Sequence, residues 1–147
     1  MIVISNSSPL IALARINHLF ILKSLFGQIY IPDSVFQETV LQSNVEIQTK
    51  NILQTIDNYI FIVKPRTAYL FQRRLDFGEQ GVINLAIDKQ ADFLLMDDKK
   101  ARKEAQGLGF KTLKTAILLK RAEKLGIIKS YSDVIKELEK LKIYLAT

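Results

Sequence analysis

The chain has 147 residues, which predicts a single domain, residues 1–147, with a core large enough to need no disulfide. It contains no Cys and one His, which excludes thiol nucleophiles, Cys-based zinc sites and mechanisms that need two histidines. The formal net charge of +6 favours a polyanionic partner such as nucleic acid, and any catalysis must rely mainly on carboxylates.

The start of the chain is apolar but lacks a basic leader, and it is interrupted by Ser5, Asn6 and Pro9. We therefore expect no signal peptide. No segment approaches the roughly 20 consecutive apolar residues that cross a bilayer as a helix. These features predict a soluble, cytoplasmic protein.

Short apolar strands alternate with helical patterns along the chain. The predicted strands are Ile2–Ile4, Ile29–Ile31, Tyr59–Val63, Phe93–Met96 and Lys111–Leu113. The predicted helices are one stretch from Leu10 to Phe26-Gly27, one opened by Asp33, then Ile47–Ile56, Ala68–Leu75, Glu79–Lys89, Lys99–Gln106, Ala116–Leu125 and Asp133–Leu145. This alternation predicts an α/β fold with right-handed crossovers and a mainly parallel sheet that is covered on both faces.

Two helix starts carry capping signals. Ser7 or Ser8 precedes Pro9, and we expect the hydroxyl to cap the first helix with Pro at its first position. Ser34 and Gln37 fit a capping box at the start of the helix that follows the second strand.

Polar residues follow two of the predicted strands. Asn6 and its neighbouring serines come after the first strand, and Asp97 and Asp98 come after the fourth. Ligands of parallel sheets bind beyond the carboxyl ends of the strands, and oxygen ligands suit Mg²⁺ or Mn²⁺. The alternative is that Asp98 is the N-cap of the helix beginning at Lys99, and that the negative charge of Asp97 interacts favourably with the positive end of the dipole of that helix. In the same way, Asn6 can be an ordinary turn or cap residue.

Two glutamates also have two interpretations each. Glu38 lies among apolar residues of a predicted helix and either points into a crevice or is solvated. Glu79 lies three residues after Asp76, which suits either a reciprocal cap or a site carboxylate. The basic cluster that follows the aspartate pair is either a solvated helix face or a contact for phosphates.

Four segments together resemble the PIN domain. They are ISNSSPLIAL at 4–13, IPDSVFQE at 31–38, GEQGVINLA at 78–86 and LLMDDKKAR at 94–102. The resemblance extends from Met1 to about Ser130. Within the PIN domains, the chain is most similar to a prokaryotic branch related to VapC-like toxin-antitoxin ribonucleases. It implies an α/β/α sandwich with a mainly parallel central sheet, and an acidic pocket that binds Mg²⁺ or Mn²⁺ and hydrolyses phosphodiester bonds, usually in RNA.

The resemblance also implies roles for individual residues. Asn6 stands where the first Asp of the family normally lies, while Glu38, Glu79 and Asp98 match the other acids and Asp97 is the paired neighbour of Asp98. The implied metal ligands are Asn6, Glu79, Asp97 and Asp98, and the implied catalytic residues are Glu38, Glu79 and Asp98. The implied pocket hydroxyls are Ser8 and Thr115, and the implied contacts to the RNA backbone are Arg15, Lys99, Lys100, Arg102 and Lys103.

The leading hypothesis is a metal-dependent endoribonuclease, the toxin of a toxin-antitoxin pair, with RNA, a cognate antitoxin and a second copy of the chain as partners. There are two departures from the family pattern. Asn6 removes one negative charge, and Lys114-Thr115-Ala116-Ile117 stands where Gly-Thr-x-Gly is usual. Because of Asn6, the alternative hypothesis is a catalytically silent PIN module that binds RNA or a protein.

Overall fold

The computed structural model describes residues 1–147. Its strands are β1 (Val3–Ser5), β2 (Ile29–Pro32), β3 (Ile60–Val63), β4 (Phe93–Leu95) and β5 (Lys111–Leu113). Its helices are α1 (Ser7–Arg15), α2 (Phe20–Phe26), α3 (Asp33–Phe36), which continues into a π-helical turn (Gln37–Leu41), α4 (Glu46–Thr55), α5 (Phe77–Lys89), α6 (Lys99–Gly107), α7 (Thr115–Lys124) and α8 (Tyr131–Lys140).

The five strands form one parallel sheet in the order β3-β2-β1-β4-β5, which confirms the predicted parallel sheet. Ile4 of β1 pairs with Tyr30 on one side and Leu94 on the other. The chain moves outward from β1 through β2 to β3, then crosses to the opposite side for β4 and β5. This reversal opens a crevice at the carboxyl ends of β1 and β4, where parallel sheets bind ligands.

Successive residues of the central strands are buried, although their side chains point to opposite faces of the sheet. Val3 and Ile4 of β1 and Leu94 and Leu95 of β4 are all fully buried. Both faces of the sheet are therefore covered, as expected when right-handed crossovers run in two directions across a sheet. The predicted α/β architecture with helices on both sides of a parallel sheet is confirmed.

The predicted continuous helix from Leu10 to Phe26 is wrong. The structure has two helices here, with a break at Asn17, whose φ of 58° lies in the left-handed region. Asn is among the few residues that adopt this conformation readily. The His18 ring lies against the carbonyl oxygen of Ile16, and the His18 N–H donates to the Leu13 carbonyl, so the turn satisfies its own polar groups.

Helix starts and ends also differ from the prediction. The α1 helix begins at Ser7, so Ser7 and Ser8 lie inside it and Pro9 is its third residue. The predicted Ser34–Gln37 capping box does not form, because Pro32 occupies the N-cap of α3 and no side chain caps it. At the other end of the chain, α8 ends at Lys140 rather than at Leu145.

The predicted helix Ala68–Leu75 is absent, and residues 64–75 form an irregular extended segment that we call the strap. Side chains from the neighbouring helices satisfy its backbone N–H groups. Asp88 and Asn84 of α5 accept from the strap at Arg66, Thr67 and Tyr69, and Glu104 of α6 accepts from Gln72 and Arg73. These acceptors replace the carbonyls of a helix, and local propensity does not reveal them.

No helix of the structure is both long enough and apolar enough to span a membrane.

Candidate active site

Asn6 lies at the switch point of the sheet, directly after β1. Its backbone N–H donates to the Leu95 carbonyl at 2.9 Å, which joins the carboxyl ends of β1 and β4. The residue is buried, yet its side chain does not cap α1. The interpretation of Asn6 as a helix cap through its side chain is therefore wrong.

Asp97 and Asp98 follow β4 but point to different partners. Both oxygens of Asp97 are engaged by Thr115, whose N–H donates to Oδ1 at 2.8 Å and whose hydroxyl donates to Oδ2 at 2.7 Å. Asp98 caps α6, since its Oδ2 accepts from the Ala101 N–H at 3.0 Å. The predicted N-cap role of Asp98 is confirmed.

Asp76 and Glu79 form a capping box at the start of α5, which confirms the reciprocal cap as one of the two interpretations of Glu79. The Glu79 N–H donates to Asp76 Oδ1 at 2.8 Å, and the Asp76 N–H donates to Glu79 Oε1 at 3.0 Å. This box does not remove Glu79 from the site. Glu79 is buried, and its carboxyl lies close enough to Asp76 and Asp98 for both to act on its pKa.

Glu38 reaches the same place from the π-helical turn. A Cβ atom added to Gly78 would lie 2.7 Å from Glu38 Oε2, 3.5 Å from Asp76 Oδ1 and 3.6 Å from Ser7 Oγ. The absence of a side chain at Gly78 thus leaves space that the Glu38 carboxylate occupies. Glu38 is solvent-exposed as a residue, but its carboxylate points into this space.

The electrostatics of the cluster are those of crowded carboxylates. Burial raises the pKa of Glu38, and the Asp76 carboxylate raises it further, while the Ser7 hydroxyl opposes the increase. Burial also raises the pKa of Glu79; the Asp76 N–H opposes this increase, and the carboxyls of Asp76 and Asp98 add to it. No basic side chain neutralises these acids, because the only salt bridge of the protein joins Arg73 to Glu104 elsewhere.

Carboxylate oxygens are the donors that a hard divalent cation prefers, but no three His, Cys, Asp or Glu side chains are grouped closely enough to hold a metal ion. Mg²⁺ usually keeps several waters and takes only one or two carboxylates. Glu79 and Asp98 each use one oxygen for a backbone N–H, and their carboxyls also lie within hydrogen-bonding reach of each other. The buried Ser7 hydroxyl lies beside the Glu38 carboxylate, and it opposes the rise in the pKa of that carboxyl.

The other predicted residues are distributed around this cluster. Ser8 is exposed in the first turn of α1, and buried Thr115 is committed to Asp97. Arg15 donates its Nε–H to Gln48 at 2.9 Å and so braces α1 against α4. Four of the predicted basic contacts lie on α6. Lys99, Lys100 and Lys103 are exposed, and Arg102 is half-buried.

The sequence interpretation did not assign Ser7, Asp76 or Gly78 to the site. Asp76 was considered only as the capping partner of Glu79. A signal for all three exists in the chain, because Asp76 and Gly78 flank the helix start that carries Glu79, and Ser7 adjoins Asn6. Only the packing of α5 near the end of β1 shows that these two helix starts meet.

Comparison with known proteins places the chain in a family. The profile of the family DUF3368, described as a PIN domain, matches residues 2–147. A solved PilT N-terminus domain protein from the hyperthermophilic archaeon Sulfolobus solfataricus P2 shares the fold, with a TM-score of 0.58 and 17% sequence identity over 83% of this chain and 93% of that one. None of the curated proteins is significantly similar to the chain. PIN domains are generally nucleases and usually use divalent metals. Because this profile matches nearly the whole chain, the chain belongs to the PIN-domain family.

Proposed function

We propose that this protein is a metal-dependent endoribonuclease that hydrolyses RNA phosphodiester bonds with Mg²⁺ or Mn²⁺, and that it is the toxin of a toxin-antitoxin pair. The observation that carries the proposal is the position of Glu38, Glu79 and Asp98. They come from three separate segments and lie around the crevice beyond β1 and β4, with no basic side chain paired to them. Crowded, unneutralised carboxylates at such a crevice are typical of a cation site.

Each acid has a defined role in this proposal. Asn6, Glu79 and Asp98 hold the cation through oxygen atoms, and Asp97 positions the turn that carries Asp98 through its bonds to Thr115. When bound, a divalent cation stabilises the negative charge that develops on the phosphate during hydrolysis. Glu38 accepts a proton from the attacking water, because its raised pKa makes its carboxylate a better base than an ordinary one.

The basic residues of α6 hold the RNA backbone. The helix begins next to Asp98, so Lys99, Lys100 and Lys103 present positive charge beside the acids, and all three are exposed. Contacts of this kind neutralise phosphates without reading bases. We expect each Lys→Ala change to weaken binding of all RNA sequences similarly. It should also reduce the slope of the logarithm of the binding constant against the logarithm of the salt concentration by about one.

Incubation of single-stranded and structured RNAs with the protein and Mn²⁺ tests the nuclease proposal. Cleavage should require the cation, disappear with EDTA, and fall by at least about a hundredfold in Asp98→Asn. Asp98→Asn keeps a residue that caps helices well, so α6 should remain folded. Asp133→Asn, in the first turn of α8, is the matched control and should cleave like the native chain. Cleavage that survives both EDTA and Asp98→Asn would refute the assigned site.

The proposal includes two protein partners, a second copy of the chain and a cognate antitoxin. Light scattering at micromolar protein should give twice the mass of the chain, and a monomer mass would contradict the homodimer. Co-expression with the product of the neighbouring reading frame should yield a complex in which RNA cleavage is suppressed.

Asn6 favours one alternative, a catalytically silent module that binds RNA or a protein. Asn6 is buried at the switch point and offers a neutral oxygen where a carboxylate would add a full charge. If the native chain cleaves none of several RNAs while Asn6→Asp does, the alternative is correct. Cleavage by the native chain rejects it.

A further inference from the structure

We propose that a groove between α1 and residues 142–147 binds one unpaired base of the RNA beside the crevice, with the Tyr144 ring as the stacking surface. The inference deepens the proposed function and rests on it, because it takes RNA as the ligand. The groove has a volume of about 200 Å³. Its lining residues are Ser8, Ile11, Ala12, Asp97 and the four consecutive residues 143–146.

The end of α8 sets the direction of residues 142–147. Lys142 has a φ of 60°, in the left-handed region, and its N–H donates to the Glu139 carbonyl at 2.9 Å. The Ile143 N–H donates to the Leu138 carbonyl, also at 2.9 Å. These two bonds form a Schellman motif, which ends the helix and turns the chain away from the helix axis.

A side-chain contact then holds the segment beside the crevice. Lys114 Nζ donates to the Thr147 carbonyl at 3.1 Å. Lys114 directly precedes Thr115, the residue that engages both oxygens of Asp97. The segment is therefore tied to the turn that positions the aspartate pair, and the groove ends at Asp97, one residue before Asp98.

Tyr144 is an aromatic ring left outside the core. Ile143 and Leu145 are half-buried and pack against the core, whereas Tyr144 between them is 72% exposed. Aromatic rings gain much from contact with another flat ring, and every nucleobase has such a face. Stacking of bases on aromatic side chains is how proteins bind single strands without reading their sequence.

The groove has the mixed character that a base requires. Ser8, Ile11 and Ala12 lie on one face of α1, because they are three and four residues apart. Ile11 and Ala12 make this face apolar, and the exposed Ser8 hydroxyl lies at its N-terminal end. A hydroxyl both donates and accepts, so it suits the polar edge of a base whose faces contact apolar side chains.

Positive charge adjoins the walls of the groove. Exposed Lys99 and Lys100 follow the aspartate pair, and exposed Lys142 begins the segment that carries Tyr144. Lysines of this kind neutralise phosphates. Nucleic acid combines a row of phosphates with flat rings, so an exposed aromatic ring beside these lysines favours a nucleotide over a peptide as the occupant.

The test uses fluorescence, because the chain has no Trp and Tyr144→Trp adds a single reporter to the groove. The probes are a short single-stranded oligouridine, the same strand paired with oligoadenylate, and polyphosphate, which carries phosphates without bases. Binding is measured in EDTA, so that the RNA stays intact, and again with Mn²⁺. Phe20→Trp is the control reporter, because Phe20 is an exposed aromatic residue on α2.

We expect oligouridine to quench the fluorescence of Tyr144→Trp, and the duplex and polyphosphate to leave it nearly unchanged. Phe20→Trp should respond to none of the probes. Tyr144→Ala should weaken oligouridine binding by about tenfold, while Tyr144→Phe, which keeps the ring, should bind like the native chain. Polyphosphate binding should stay within about twofold of the native value in both variants, since it depends on the lysines.

Two results would overturn the inference directly: bound oligouridine that leaves Tyr144→Trp unquenched, and equal losses of oligouridine and polyphosphate binding in Tyr144→Ala. A third is a Tyr144→Ala protein that binds RNA normally but loses a co-purifying protein, which would assign the groove to that protein.

These outcomes are distinguishable from failure of the proposed function. Single-strand binding that depends on Tyr144, in a protein that cleaves no RNA, supports the base-binding groove and refutes the nuclease. RNA cleavage with the same KM in Tyr144→Ala and in the native chain refutes the groove and leaves the nuclease intact. A native chain that binds no oligouridine, with or without Mn²⁺, refutes the groove.

Discussion

Thr115 donates both its backbone N–H and its hydroxyl to Asp97, one to each carboxylate oxygen. This pair joins the end of β4 to the start of α7. It also separates the tasks of two adjacent aspartates, because Asp97 is held on both oxygens while Asp98 uses only one of its oxygens for its helix cap. Asp97 thereby fixes the turn from which Asp98 reaches the crevice.

Replacing Thr115 by Val should therefore weaken both the fold and the site. Val has nearly the shape of Thr but cannot donate to Asp97 Oδ2, so we expect a loss of about 1–2 kcal/mol in the free energy of unfolding. Urea unfolding measures this loss, and Mn²⁺ affinity should fall with it. Thr112→Val is the control, since the Thr112 hydroxyl accepts only from the exposed Gln106 side chain, and this change should alter stability by less than about 0.5 kcal/mol. Equal effects of the two changes would contradict the role of Thr115.

Gly78→Ala should impair the site while leaving the fold largely intact. The new Cβ atom would lie 2.7 Å from Glu38 Oε2, so the flexible end of Glu38 must move out of the crevice. We expect Mn²⁺ binding and RNA cleavage to fall by at least about tenfold, with a small change in melting temperature.

Gly107→Ala is the matched control for that change. A Cβ atom at residue 107 would meet no atom within 4 Å. Gly→Ala at an unstrained position stabilises by about 0.4–1 kcal/mol through the unfolded chain. Gly107→Ala should therefore bind Mn²⁺ like the native protein, and an unchanged site in Gly78→Ala would show that Glu38 does not depend on this opening.

Glu104→Ala should release the strap. The buried Glu104 carboxylate accepts from the backbone N–H groups of Gln72 and Arg73 and from the Arg73 guanidinium at 3.0 Å. Its removal leaves these donors without their acceptor, and we expect a loss of about 2 kcal/mol in the free energy of unfolding. Faster proteolysis within residues 64–75 should accompany it. Glu137→Ala, at an exposed position of α8, should have neither effect.

The same anchors predict how the strap responds to acid. The hydroxyl of Thr67 and the N–H groups of Arg66 and Thr67 hold the pKa of Asp88 below its ordinary value of 3.8. Burial alone would raise the pKa of Glu104, but the hydrogen bonds from Gln72 and Arg73 outweigh it and lower the pKa below 4.5.

Because both pKa values are lower in the folded protein, these carboxylates add stability above pH about 5 and lose it as the pH falls through their folded values. We expect the protection factors of the strap amides, which compare their exchange rates with the intrinsic rates of an unfolded peptide, to fall below pH 4. The stability difference between the native chain and Glu104→Gln should shrink over the same interval. A difference that stays constant from pH 7 to pH 3 would contradict this assignment.

Part of this protein can be read from the chain alone. Apolar strands separated by helical patterns predict a parallel sheet, because strands with continuous apolar residues must be covered on both faces. The capping box of Asp76 and Glu79 follows from a spacing of three residues. Such features depend on neighbours in sequence, which local physics decides, whereas the site roles of the acids at 38, 79 and 98 were implied by the resemblance to the PIN domain.

Three features depend on the tertiary structure: the strap, the separate roles of Asp97 and Asp98, and the meeting of Ser7, Glu38 and Asp76 at Gly78. In each case the deciding partner is distant in sequence: Glu104 for the strap, Thr115 for Asp97, and α5 for the start of α1. Propensity favours a helix at 68–75, but hydrogen bonds from packed side chains outweigh a preference of a few tenths of a kcal/mol per residue. The sequence therefore determined the architecture, and only the packing of distant segments decided which side chains meet at the crevice.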